Sequence, residues 1–351
     1  LKIIIKPAKC GKDENMETEH KIRLTSAEIS QLWSSYMNDS SSICVLKYFL
    51  NNVDDTEVRS VIEYALQLAQ SHIPKLTAIF NKENYPIPHG FIEGEDVDIN
   101  APRLFSDSYY LRFLLRQSNI ELNGISMAVA LAVRSDVNSY FTECLTELAK
   151  LNTMTKEVLL SKGLYVRSPY IPIPKNVDYV KEKSFLAGFF GDVRPLSVLE
   201  LTNLYSNIQR NALGSATLIG FSQVAKDAKV KEYLVRGRDI AKKHVEVFGQ
   251  KLKKDNLLVP MAWDIDITES TTFTFSDKIM MFQVTSLNAI GIAFYGASLA
   301  ASPRRDIGLE YSRLMVEISQ YATDGAKIMI ENGWLEQLPL ASDRDELANK
   351  E

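Results

Sequence analysis

Two of the four histidines in this chain of 351 residues stand in similar frames. His72 lies in "LQLAQSHIPKL", residues 66 to 76, and His244 in "RDIAKKHVEVF", residues 238 to 248; the others are His20 and His89. Val58, Ile62, Ala65, Ala69, His72, Leu76 and Ile79 step by three and four like a bundle seam, as do Val230, Leu234, Ala241, His244 and Phe248. Both imidazoles should therefore be buried, and each needs a partner, because an unsatisfied buried polar group costs ~1–3 kcal/mol. Counting helical levels from a hairpin pivot near Val53 places Ser34 and Ser35 opposite His72, with Asn123 and Glu147 level with it on two later helices. Glu317 answers Glu147 for the second histidine. His72 with Glu147, and His244 with Glu317, are the metal-ligand candidates, for iron, manganese or zinc. The competing reading is a core histidine hydrogen-bonded to serine, glutamate or backbone.

A ferritin-type di-metal site takes a glutamate from each of two helices and Glu-x-x-His from each of the other two. Here Ala69 and Ala241 stand three residues before the histidines, and Lys150 and Gln320 three after the glutamates, so a full site is not expected. No Gly-rich phosphate loop, nucleophile elbow or HExxH occurs, and no catalytic or organic-cofactor residue is assigned.

The frames recur because the chain is a duplication. The offset 244 − 72 = 172 holds without a gap from Leu24/Leu196 to Pro88/Pro260, and 275 − 105 = 170 carries "FSD", Arg134/Arg304, Asp136/Asp306, Glu147/Glu317 and Gly163/Gly333. Between these blocks "DVDI" at 96 answers "DIDI" at 264, read as turn and edge residues. Each copy reads as four helices. Thr25 to Glu28 and Ser197 to Glu200 have capping-box spacing, Asp136 and Asp306 can cap the fourth helix, and Arg134 and Arg304 suit the C-terminal end of the third. A link of about 20 residues between helices 2 and 3 can travel a whole helix length. The fold class is all-α: two tandem ferritin-like up-down four-helix bundles with a long helix 2–3 crossover in each.

The expected division is an N-terminal extension over 1–23, with Met16 as a natural start, a first bundle over 24–170, a linker over 171–194, a second bundle over 195–340 and a tail over 341–351. The linker's Phe185, Leu186, Phe189 and Phe190 are expected to pack between the bundles. A net charge of −4 with no basic block argues against nucleic acid, and there is no run of about 18 apolar residues to span a bilayer. Cys10, Cys44 and Cys144 lack zinc-type spacing and fit a reducing compartment.

The repeated "H…P", "FSD", "R-x-D" and "G…P" landmarks, with "RPLS" opening the second copy, resemble an uncharacterised family from spore-forming bacteria with tandem ferritin-like bundles, some members being labelled spore coat protein. That resemblance implies a cytoplasmic or spore-associated setting, with homo-oligomer or coat-protein partners. The leading functional expectation is a non-enzymatic structural or interaction protein; the alternative is a metal-binding or oxidase-like protein with a reduced ferritin-type site.

Overall fold

The computed structural model describes residues 22–189, 193–260 and 266–349. Cys10, Met16, His20, Phe190 and Asp264 lie outside them. Eight long helices form two four-helix bundles. In the first, α1 (Ser26–Asn52), α2 (Thr56–Lys82), α3 (Asp107–Leu131) and α4 (Ser135–Ser161) are joined by two tight hairpins and one crossover. In the second, α5 (Val198–Val224), α6 (Ala228–Lys254), α7 (Asp277–Ala300) and α8 (Arg305–Glu331) repeat the plan, and a short α9 (Arg344–Ala348) follows. A single 3₁₀ turn, Lys183–Leu186, lies between the bundles.

The helix ends are made as their residues dictate. Thr25 and Ser197 open α1 and α5 with complete capping boxes. The spare oxygens of Glu28 and Glu200 accept from the Arg134 and Arg304 amides, so each glutamate also ties its helix start to the distant α3–α4 or α7–α8 turn. Asp107 and Asp277 accept the amides of Asp55 and Asp227 in the first hairpin of each bundle, which fixes the third helix to start where the second does. Asn84 and Asn256, with φ of 53° and 57°, turn the chain out of α2 and α6; Gly163 and Gly333, at 67° and 69°, do so after α4 and α8.

Two expectations change. Asp136 and Asp306 do not cap the fourth helix, whose N-caps Arg134 and Arg304 make no side-chain cap bond. Each aspartate instead grips the guanidinium two residues before it by a fork, Nε to Oδ1 and Nη2 to Oδ2. The arginines reach back to the second helix's end, at Glu83 and Asp255, rather than to the third.

The bundles meet through their crossovers, which exchange contacts reciprocally. Ser106 Oγ at the start of α3 donates to Asp266 Oδ1 at 2.7 Å, and Ser276 Oγ at the start of α7 donates to Asp96 Oδ1 at 2.6 Å. Backbone bridges join Val97 to Phe275 and Phe105 to Ile267. All four pairs obey the offset of 170 (96 + 170 = 266), so Asp96 answers Asp266, and the match of "DVDI" with "DIDI" was slipped by two residues. One hydrophobic core crosses this seam, with Tyr48 edge-on to Phe275, Phe105 against Phe221 and Phe91 against Phe282. The linker patch takes no part in it: Leu186 and Phe189 are exposed, and Phe185 packs on the Arg194 guanidinium 3.9 Å away. The crossover aromatics supply the apolar seam that the linker patch was expected to make.

Among the described helices α7 alone has the length and apolar composition of a membrane-crossing helix. It is nevertheless a bundle member, with Ile279, Met280, Met281, Val284 and Tyr295 buried.

A candidate metal centre in the first bundle

The expected pairs form. His72 Nε2 lies 2.9 Å from Glu147 Oε2, and His244 Nε2 lies 3.1 Å from Glu317 Oε2. Both rings are buried. Ser34, Ser35 and Asn123 do not join them. Asn123 is exposed and donates to the Asn119 carbonyl on its own helix. On α1 the facing residue is Asp39, one turn beyond Ser35. The count from a pivot at Val53 therefore ran about one turn too far along α1.

Asp39 lies 3.4 Å from His72 Nδ1, and Cys144 Sγ lies 3.6 Å from Nε2. Glu121 of α3 accepts from Gln117 and shares with Asp39 and His72 a cavity of about 30 Å³, floored by Ala69. That volume suits one or two water-sized occupants. Asp39 and Glu121 thus lie with His72 around the cavity, Asp39 on the Nδ1 side, while Glu147 and Cys144 stand at Nε2. His72 Nε2, Cys144 Sγ and a Glu147 oxygen lie within 4.8 Å of one another, close enough to hold one ion between them.

The electrostatics are those of crowded charge away from water. Burial pulls the His72 pKa down, but Asp39 and Cys144 outweigh it and push it up to about 11. Burial raises Asp39 despite its imidazole partner. Glu121 is pushed up to about 7, by burial first and by the Asp39 charge second.

The second bundle keeps the histidine and glutamate but not the rest. Asp39, Glu121 and Cys144 are answered by Asn211, Gly291 and Leu314, and Ile125 by Tyr295. Asn211 Nδ2 donates to Tyr295 Oη at 2.7 Å, and that hydroxyl lies 3.0 Å from His244 Nδ1. With the proton on Nε2 directed at Glu317, Nδ1 accepts from the Tyr295 hydroxyl and both ring nitrogens are paired. Lys243 takes the other Glu317 oxygen at 2.7 Å. Burial lowers the His244 pKa more than Glu317 restores it, so the ring is neutral. A cavity of about 90 Å³ also reaches His244, but both ring nitrogens are taken by protein groups and Leu314 stands where Cys144 does, so no third ligand joins the pair.

Sequence reasoning missed Asp39, Glu121 and Cys144 because it favoured positions shared by the two copies. A usable signal was present: Cys144-x-x-Glu147 occupies the place in the fourth helix where ferritin-type bundles carry Glu-x-x-His.

A family model described as protein of unknown function (DUF3231) matches residues 14–177 and again residues 184–347. Among solved structures, the chain is similar to a candidate spore coat protein from Bacillus halodurans C-125, at 18% identity and a TM-score of 0.37, over 46% of this chain and 99% of that one. No curated protein matches.

Proposed function

The chain belongs to the DUF3231 family of unknown function in both of its halves, and from that premise we propose that the first bundle holds one transition-metal ion while the second is its metal-free structural counterpart. The observation that supports this is the approach of His72, Cys144 and Glu147 to within 4.8 Å of one another, where the second half has His244, Leu314 and Glu317. A thiol, an imidazole and a carboxylate suit zinc best, with water completing a tetrahedron. Asp39 would then orient His72 through its Nδ1 proton, as carboxylates behind metal-bound histidines do. The ion's role in this reading is to brace a non-enzymatic structural or interaction protein.

The test is metal analysis of protein purified without chelator or nickel resin. About one zinc per chain is expected in the parent and in His244→Ala, and none in His72→Ala. Equal loss in both variants would sink the division of roles. A metal-free reading is favoured by one observation: His72 lies 3.4 Å from Asp39 and 2.9 Å from Glu147, so that as imidazolium it makes a self-sufficient ion pair with both. A parent protein without metal selects that reading.

A further inference from the structure

Two cavities lie between the bundles, related by the same exchange that relates the crossovers. One, of about 250 Å³, is walled by α1, α3 and α7 and lined in part by Asn38 and Ser286, with Arg116 at its edge as well. The other, of about 220 Å³, is walled by α3 and α5 and has Arg116 and Arg210 at the equivalent positions, since 116 + 170 = 286 and 210 − 172 = 38. No aspartate or glutamate lines either one.

Arg116 is only 7% exposed, and its Nε and Nη1 have no hydrogen-bond partner. Its guanidinium sits 5.3 Å from the Phe113 ring. Arg210 stacks on Phe294 at 3.9 Å and donates to the Asn207 side-chain oxygen. Neither has a carboxylate partner among the described residues. Burying a guanidinium without counter-charge is costly unless something pairs with it. At the two equivalent positions of the repeat, Asn38 and Ser286, the same frame accepts small neutral side chains, so the helix packing there does not demand arginine.

We propose that the cavity between α3 and α5 binds a small organic oxyanion, its carboxylate or phosphate held by Arg116 and Arg210 and its body lying on Leu115, Leu159, Leu164 and Leu213. Arginine pairs suit such groups because the planar fork matches two oxygens at once. Burial lowers the pKa of both arginines, that of Arg210 to about 10, and an anion would reverse this. The exposed Asn119 and Ser168 mark the entrance, and Ser168 begins the segment that leaves the first bundle. The site is independent of the imidazole cluster, so either can fail without the other.

Thermal unfolding and calorimetry with octanoate, octyl phosphate and octanol test the proposal. Either anion at a hundredfold excess over its Kd should raise Tm by roughly 5 °C, and octanol should not. The larger of the two shifts names the head group. Equal shifts from octanol and the anions, or none from any, overturn the proposal. Arg116→Met should abolish the response while its ligand-free Tm stays level or rises, since an unpaired buried charge is gone. Arg210→Gln, at a half-buried position, should weaken binding at least tenfold, whereas Ser286→Ala in the mate cavity should leave it unchanged. Undiminished binding in both arginine variants assigns the pair to structure and overturns the site.

Discussion

Gly237 on α6 and Gly325 on α8 face each other's tyrosines. Tyr233 and Tyr321 stack with centroids 4.1 Å apart and planes 6° from parallel. Each hydroxyl crosses to the other's backbone carbonyl, Tyr321 Oη to Tyr233 O at 3.0 Å and Tyr233 Oη to Tyr321 O at 3.2 Å. A Cβ on Gly237 would fall inside the van der Waals envelope of Tyr321 Oη, and one on Gly325 inside that of Tyr233 Oη. In an exposed helix Gly→Ala stabilises by about 0.5–1 kcal/mol. Here Gly237→Ala must displace a buried ring, costing ~1–3 kcal/mol by overpacking and ~1 kcal/mol for the hydrogen bond, with part of a stacking term of ~0.5–1.5 kcal/mol. The net expectation is a loss of about 2 kcal/mol, or about 5 °C in Tm. Tyr321→Leu removes both the clashing oxygen and the ring carbon behind it, so the double variant should recover at least ~1 kcal/mol relative to the sum of the single changes. Thermal and urea unfolding of the four proteins measure this. A Gly237→Ala protein as stable as the parent, or additive single changes, would refute the packing argument.

Acid sensitivity should concentrate at Glu200: burial raises its pKa, but Arg194, the Ser197 amide and hydroxyl, and the Arg304 amide together hold it down at about 2. Its stabilisation is present above the ordinary carboxylate pKa and is lost as pH falls from about 4.5 towards 2, up to ~3 kcal/mol; Glu200→Gln should flatten that part of a stability–pH curve, and an unchanged curve counts against it. His244→Ala, which opens the chain through Tyr295, should cost ~1–3 kcal/mol of stability without altering metal content. A protein of residues 22–181 should form a homodimer by light scattering, because its Asp96 can meet Ser106 of a second copy as Asp266 does here; a stable monomer would contradict the reciprocal seam.

Much of this molecule was readable because duplication let one half check the other. Glu28 and Glu200 stood in matched capping frames, and His72 and His244 kept their glutamates. The same comparison hid what distinguishes the halves. Asp39 and Glu121 face Asn211 and Gly291 across the repeat, so a search for shared residues passes over them, and neither has local spacing that marks it as inward. Arg116 and Arg210 were invisible for a related reason: each looks like a surface arginine until the second bundle closes over it. The crossover register slipped because "D-x-D-I" matches itself at a two-residue shift, and only the pairing of Val97 with Phe275 and Phe105 with Ile267 decides between the choices.

The exchange of Asp96 and Asp266 across the seam has a consequence for how such a protein can change over generations. In a dimer of identical subunits every substitution is inherited twice, and a buried arginine placed at one interface cavity must appear in the other. Joining the partners in one chain frees each half to mutate alone. One can collect charge at the centre of its bundle while the other fills the same place with a tyrosine, and two sister cavities can come to differ, with paired arginines at one and asparagine and serine at the matching positions of the other.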